Sequence, residues 1–273
     1  MQAIFETLAA QLFQGITLIK IVAAVVIVVT LSVLAERVSP KFAGIFSGYP
    51  LGAAITLFFI GYEVGPEFAA RSAIYTIIGI LSAQIFIYFY YLASRWSQRS
   101  SRLPRIAWSS GGGLAGYTLA AFGLRYWPVN LMIAAPVALA SIFFFDRLFR
   151  RIPNVIIENR KKSSLTVLSA RAFFAAVVIL LVTSTAQSLG TRWAGLLAAF
   201  PVTMFPFLVI IHYSYQNEHL HAVIKNIPRG LISSMLYCLV VSLTYPVLGL
   251  ARGTAAGYLL ATLYLVLINR RRT

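Results

Sequence analysis

Apolar stretches without a single charged residue, such as Ile21–Leu34, Ala172–Val182 and Thr254–Ile268, limit what this chain can fold into. About 20 consecutive residues of this kind span the hydrocarbon core of a bilayer as a helix. Hydrophobic residues make up 59% of the chain and charged residues only 11%, a composition that soluble domains do not have. We therefore expect an all-α, polytopic membrane helical bundle.

The apolar segments divide the chain into about nine predicted transmembrane helices. Their expected ranges are 14–35, 42–62, 68–94, 106–124, 128–146, 167–189, 193–214, 230–248 and 253–268. No connection between them is long enough for a separate soluble domain, and the longest, Arg147–Ser164, is a basic linker. We predict a first membrane repeat at 1–127, a linker helix with its basic loop at 128–164, and a second membrane repeat at 165–273.

The formal charge of +16 has a membrane explanation. Lysine and arginine concentrate in cytoplasmic connections, and here they fall after the odd-numbered predicted spans. The basic groups are Arg37 and Lys41; Arg95, Arg99, Arg102 and Arg105; Arg147, Arg150, Arg151, Arg160, Lys161 and Lys162; Lys225 and Arg229; and Arg270, Arg271 and Arg272. This bias predicts a multi-pass protein of the cell inner membrane, with the N-terminus outside and the C-terminus in the cytoplasm. The expected partners include the anionic lipids of the inner leaflet and exclude nucleic acid.

One short segment occurs twice. Residues 43–50 read AGIFSGYP and residues 194–201 read AGLLAAFP, an offset of 151 positions without a gap. The same offset pairs Gly79 with Gly230 and Ser82 with Ser233. Such a register favours internal duplication. With nine spans, the two copies enter the membrane from opposite sides, so the sequence predicts two inverted four-helix repeats joined by a linker helix (4+1+4), an architecture common among secondary transporters.

Each copy carries a proline inside an apolar segment. Proline breaks or kinks a helix just before its own position, and non-helical backbone inside a bilayer is tolerated only where protein buries it or where it lines a wet cavity. A helix restarting at each proline would aim its N-terminus, which favours anionic groups, at the membrane interior. A kink that only shapes a tightly packed helix is the alternative. The expected substrate-binding residues at the two breaks are Gly44, Gly48, Tyr49, Pro50, Gly195, Phe200, Pro201 and Thr203.

Two polar residues within predicted spans join this candidate site. Lys20 lies in the first span, and an intramembrane charge is costly enough to suggest a function, although its side chain could instead reach the membrane surface. Gln84 lies in the third span and is expected to face other helices. Glu63 and Glu67 flank Gly65–Pro66 and read as a solvated turn.

The sequence lacks the usual catalytic and cofactor motifs. It contains no HExxH helix, no GxSxG elbow, no phosphate-binding loop and no dinucleotide fingerprint, and its single cysteine, Cys238, excludes an intrachain disulfide. We expect no enzyme activity, no cofactor and no bound metal. The chain has seven acidic residues, most of them in predicted loops, which disfavours proton or cation exchange through carboxylates.

The second copy, in the stretch AGLLAAFPVTMFPFLVIIHY, resembles the small four-span inner-membrane proteins of the GlpM-like family. That family carries an AGL-x-x-x-FP segment followed by an apolar run and His-Tyr, which Ala194, Gly195, Leu196, Phe200, Pro201, His212 and Tyr213 match in kind. The resemblance implies a fused, inverted duplication of a four-span unit. It implies no particular substrate.

These patterns predict an inner-membrane secondary transporter working by alternating access, with a small organic anion or zwitterion as substrate. Two alternatives remain at this stage. One is a translocase for a lipid, a polyprenyl phosphate or a lipid-linked head group, and the other is a non-transporting scaffold or regulator of envelope assembly. Homodimerisation is left open by the sequence.

Overall fold

The computed structural model describes residues 17–23, 25–26, 40–97, 101–153, 155 and 165–270. Within these ranges the chain is helical, and no strand occurs. Residues 17–23 and 25–26 are helical; most of the predicted first span lies outside the described residues. The helices that follow are α1 (Pro40–Ser47), α2 (Leu51–Glu63), α3 (Pro66–Trp96), α4 (Arg102–Leu124), α5 (Leu131–Phe149), α6 (Leu165–Ala198), α7 (Met204–Ser214) and α8 (Asn217–Arg270).

Two of these helices contain a sharp bend at a glycine. Gly190 in α6 has φ 76° and ψ 169°, and Gly249 in α8 has φ 75° and ψ 175°. This backbone region is nearly exclusive to glycine because any side chain would clash there. Each bend falls between two predicted spans, so one residue replaces the loop that the sequence predicted at that point.

Among the described residues, five helical segments are long and apolar enough to cross a membrane, and their ranges are Ala43–Glu63, Pro66–Trp96, Leu131–Phe149, Ala172–Ala198 and Asn217–Ile268. The segment Met204–Ser214 is apolar but shorter. These properties agree with a multi-pass helical membrane bundle.

The predicted loop before the eighth span is helical. We expected this span to begin at residue 230, but α8 begins at Asn217. This segment is helical because it has one apolar face: Leu220, Val223, Ile224 and Ile227 are buried and follow one another at helical spacing. The basic residues around them make this pattern hard to recognise in the sequence. Reading the nearby charges as a sign of a loop was wrong for residues 217–229.

α3 and α8 form the centre of the bundle. α3 packs against α4, α5, α6 and α8, while α8 also packs against α1 and α5. The largest fully buried side chains include Tyr90 and Phe86 of α3 and Tyr237 and Tyr245 of α8. One core cluster runs through both halves of the chain, so the halves are packed together rather than separate.

Polar contacts join the helices at both ends of the bundle. At one end, which we call the basic end, the Lys225 amine donates to the Ile152 carbonyl, Arg229 pairs with Asp146 at 2.6 Å, and the Ser94 hydroxyl lies 2.9 Å from His221 Nε2. At the other, which we call the opposite end, Arg192 donates to the Arg125 carbonyl at 3.2 Å.

Candidate functional site

The two proline segments break their helices with a similar hydrogen-bonded turn. α1 ends at Ser47, and α2 begins at Leu51; α6 ends at Ala198, and α7 begins at Met204. The Leu51 amide donates to the Tyr49 carbonyl at 2.8 Å, and the Val202 amide donates to the Phe200 carbonyl at 2.7 Å. Both are tight turns closed around a proline, Pro50 and Pro201.

A cavity of about 50 Å³ lies between the two breaks. A buried water molecule needs about 10–15 Å³ of such volume, so the cavity has room for three or four of them. Eight pairs of lining residues are related by the 151-residue offset: Ser47 and Ala198, Gly48 and Ala199, Tyr49 and Phe200, Pro50 and Pro201, Gly52 and Thr203, Ala53 and Met204, Ile80 and Leu231, and Ala83 and Ser234. The remaining lining residues are Thr76, Val202 and Cys238. The cavity is therefore built from equivalent positions of the two halves.

No charged side chain lines this cavity; its polar character comes from hydroxyl and peptide groups. Ser234 Oγ donates to the Gly48 carbonyl at 2.7 Å, and Thr76 Oγ1 donates to the Gly195 carbonyl at 3.0 Å. The Gly48 carbonyl, which no backbone amide engages, is thus satisfied by a side chain of α8, whereas the Gly195 carbonyl accepts from Thr76 of α3 in addition to the Ala199 amide. The Tyr49 hydroxyl lies 2.7 Å from Thr262 Oγ1.

The amide groups at the starts of α2 and α7 point to a possible use of the cavity. The first amides of a helix lack a partner one turn back. No backbone hydrogen bond engages the amides of Gly52, Ala53, Thr203 or Met204, and all four residues line the cavity. Two helix N-termini therefore bring unpaired donors and partial positive charge to one small space.

Glycines allow the helices around the cavity to approach very closely, and these contacts are reciprocal. A methyl group on Gly44 would lie 2.9 Å from Asn226 Cβ and closer still to the Val223 carbonyl oxygen. One on Gly195 would lie 2.6 Å from Tyr75 Cβ and closer still to the Ser72 carbonyl oxygen. Gly195, Val223 and Asn226 are the residues 151 positions after Gly44, Ser72 and Tyr75, so one contact occurs twice with its partners exchanged.

A second reciprocal contact lies nearer the breaks. A methyl group on Gly48 would lie 2.5 Å from the Gly230 carbonyl carbon, and one on Gly79 would lie 2.6 Å from Ala199 Cβ. The offset again relates Gly48 to Ala199 and Gly79 to Gly230. Small residues at such positions let helix backbones pack at short range in a bilayer.

Lys20 does not line the cavity. Its amine lies 2.5 Å from Glu63 Oε1 and 2.7 Å from Thr183 Oγ1, and the Lys20 side chain is only 4% exposed. The amine also lies 5.6 Å from the centre of the Phe59 ring. The lysine therefore joins its helix to α2 and α6 through a partly buried ion pair, and Glu63 is its partner rather than part of a solvated turn.

Gln84 is fully buried, and neither its amide nitrogen nor its amide oxygen has a hydrogen-bond partner among the described residues. It does not line the cavity but lies one helical turn beyond Ile80 on α3, next to Ala83. Of the other predicted residues, Gly48, Tyr49, Pro50, Phe200, Pro201 and Thr203 line the cavity, while Gly44 and Gly195 pack behind it.

Beyond the two breaks, the cavity walls on α3 and α8 were not predicted: they are Thr76, Ile80 and Ala83 on α3, and Leu231, Ser234 and Cys238 on α8. They belong to no motif. The sequence indicates them only through the 151-residue offset, which also pairs Gly79 of α3 with Gly230 of α8. This pairing indicates that α3 and α8 line the cavity at equivalent positions. No group of three or more potential metal ligands occurs among the residues that the structure describes.

Comparison with known proteins gives one match. The profile of a family described as "Protein of unknown function (DUF3147)" matches residues 170–269, which is most of the predicted second repeat and less than half of the chain. It does not bear on the GlpM-like resemblance, which stays a prediction from the sequence. No curated protein and no solved structure gives a significant match.

Proposed function

We propose that this protein is a secondary transporter built from two inverted four-helix repeats, which moves a small organic anion or zwitterion through the cavity between the two breaks. The observation that carries the proposal is the cavity itself: it is lined by eight pairs of residues at one constant offset. Transporters of this architecture bind substrate where discontinuous helices of the two repeats meet.

The helix directions support inversion of the repeats. The chain from the end of α6 through α7 follows α3 in the same direction: Thr76 contacts Gly195 of α6, and further along α3, Phe86 and Tyr90 contact Phe205 and His212 of α7. α2 and α3 are joined by only two residues, and Gly61 packs near Ala69, so these two helices are antiparallel. α2 and its counterpart α7 then run in opposite directions, as inverted copies must.

The chemistry of the lining supports an anionic or zwitterionic solute. The unpaired amides at the starts of α2 and α7 favour a carboxylate or a comparable group, and no carboxylate of the protein competes for them in the cavity. A volume of about 50 Å³ leaves space for only a few heavy atoms. Transport therefore requires a cavity of this size to widen toward each membrane face in turn.

The natural cysteine provides the test. Cys238 is the only cysteine of the chain, is fully buried, and lines the cavity. In proteoliposomes, a water-soluble thiol reagent should modify Cys238 only when the cavity opens to water. We expect modification within minutes, and we expect it to slow when a transported carboxylate or amino acid occupies the site.

The matched control is Ser141→Cys in a Cys238→Ser background. Ser141 is buried on α5, outside both predicted repeats and away from the cavity. Modification of both cysteines at one rate would indicate general opening of the bundle, and modification of neither would favour the scaffold alternative. Protection by a polyprenyl phosphate but by no small solute would favour the lipid translocase.

A further inference from the structure

The C-terminal end of α5 carries a recess that belongs to neither break. It has a volume of about 770 Å³ and is lined by Phe143, Phe144, Arg147, Leu148, Arg150 and Arg151. All six side chains are exposed. The residues that alternate with them on α5, such as Phe145 and Phe149, are buried against the bundle, so this surface faces away from the protein.

The recess combines an apolar part with a strongly cationic part. The Phe143 and Phe144 side chains are 61% and 63% exposed, which is expected of side chains that meet lipid acyl chains. One turn further on, Arg147 lies in the last turn of the same helix, and Arg150 and Arg151 follow directly after its end. No hydrogen bond or ion pair joins these arginines to another described side chain, since the nearby carboxylate of Asp146 is engaged by Arg229.

The turn that carries the arginines is fixed in place. Its amides bond back onto α5, from Arg150 to the Arg147 carbonyl and from Ile152 to the Phe149 carbonyl. Ile152 is buried, and its carbonyl accepts a hydrogen bond from Lys225 of α8. The dipole of α5 favours cations at its C-terminus, but it explains neither the neighbouring phenylalanines nor the recess.

We propose that this recess binds the head group of an anionic phospholipid. The guanidinium groups of Arg147, Arg150 and Arg151 would contact its phosphate, for which arginine forms paired hydrogen bonds, and its acyl chains would lie along Phe143, Phe144 and Leu148. Basic pockets beside membrane helices bind such head groups. The site does not depend on the transport function proposed above.

The test compares phosphatidylglycerol with phosphatidylcholine, each titrated into the full-length protein in a zwitterionic detergent and followed by the shift in melting temperature. We expect the wild-type protein to bind phosphatidylglycerol more tightly. Each arginine near a membrane surface contributes about fivefold to such binding, so Arg150→Gln/Arg151→Gln should weaken it by about 25-fold. Arg150→Lys/Arg151→Lys keeps the charge and should lose less.

The charge-matched control is Arg71→Gln/Arg252→Gln. Both arginines are exposed, and neither borders the recess, so we expect less than a twofold change in phosphatidylglycerol binding. An equal loss in both double variants would show a general charge effect and would overturn the proposal. So would undiminished binding by Arg150→Gln/Arg151→Gln, or equal affinity of the wild-type protein for the two lipids.

Discussion

The glycine contacts behind the cavity make the sharpest prediction for stability. An ordinary contact of a methyl carbon needs about 3.4 Å. The methyl group of Gly44→Ala would lie only 2.9 Å from Asn226 Cβ, and that of Gly195→Ala only 2.6 Å from Tyr75 Cβ. The nearest atoms are backbone carbonyl oxygens of Val223 and Ser72, which cannot rotate away as a side chain can. The helices must therefore separate by at least 0.5–0.8 Å.

The expected cost follows from two opposing effects. Overpacking of a close-packed interior costs about 1–3 kcal/mol, and a rigid backbone neighbour favours the upper part of that range. Alanine also stabilises a helix by about 1 kcal/mol relative to glycine. We therefore expect Gly44→Ala and Gly195→Ala each to reduce the free energy of unfolding by about 2 kcal/mol.

Gly111→Ala is the matched control, because Gly111 is an exposed helical residue of α4 with no atom within 4 Å of an added methyl group. There only the helix preference remains, so we expect stabilisation by about 0.5–1 kcal/mol. The measurement is reversible unfolding in mixed micelles with increasing denaturing detergent. The close helix packing inferred from the structure is wrong if the free energies of unfolding of Gly44→Ala and Gly195→Ala lie within about 0.5 kcal/mol of that of Gly111→Ala. This threshold is well below the expected cost of overpacking.

Three further predictions concern buried polar groups. Gln84→Met should raise the melting temperature, because an unpaired buried amide costs about 1–3 kcal/mol; a lower melting temperature would show that the amide has a partner. Glu63→Ala should destabilise the protein by about 3 kcal/mol, because it leaves a buried lysine charge unpaired. Lys20→Met should cost only about 1 kcal/mol, because the carboxylate that it leaves is 27% exposed and water can solvate it. The reverse order of the two variants in detergent unfolding would refute this account. Tyr117→Phe removes the hydrogen bond to the Leu196 carbonyl and should cost about 1 kcal/mol by the same assay, and no loss would mean that this carbonyl is satisfied without the tyrosine.

The breaks could be predicted from the sequence because proline acts locally. Pro50 and Pro201 interrupt their helices whatever surrounds them, and the surrounding apolar residues predict a position within the membrane. The cavity walls could not be predicted in the same way. Thr76 and Ser234 matter because α3 and α8 cross the breaks, and side-chain contacts between distant helices leave no local pattern.

The positions of the start of α8 and of Lys20 also differ from the sequence expectation for physical reasons. The start of α8 was taken for a loop because Lys225 and Arg229 suggested a cytoplasmic connection, but both side chains find partners on the α5 side of the bundle while the opposite face of the helix is buried. Lys20 was assigned to the site because an intramembrane charge is costly enough to suggest a function, and its partner could not be identified from the sequence. That partner, Glu63, lies 43 positions away in the sequence, and only the packing of the helices brings the two charges together.

Because Gly44 and Gly195 make equivalent contacts with exchanged partners, the same substitution can be tested at two positions of one protein. A substitution made on one member can be repeated on its counterpart, with chain length, lipid and detergent held constant. Any difference between the two results then reports only what surrounds each copy, such as Asn226 beside one and Tyr75 beside the other.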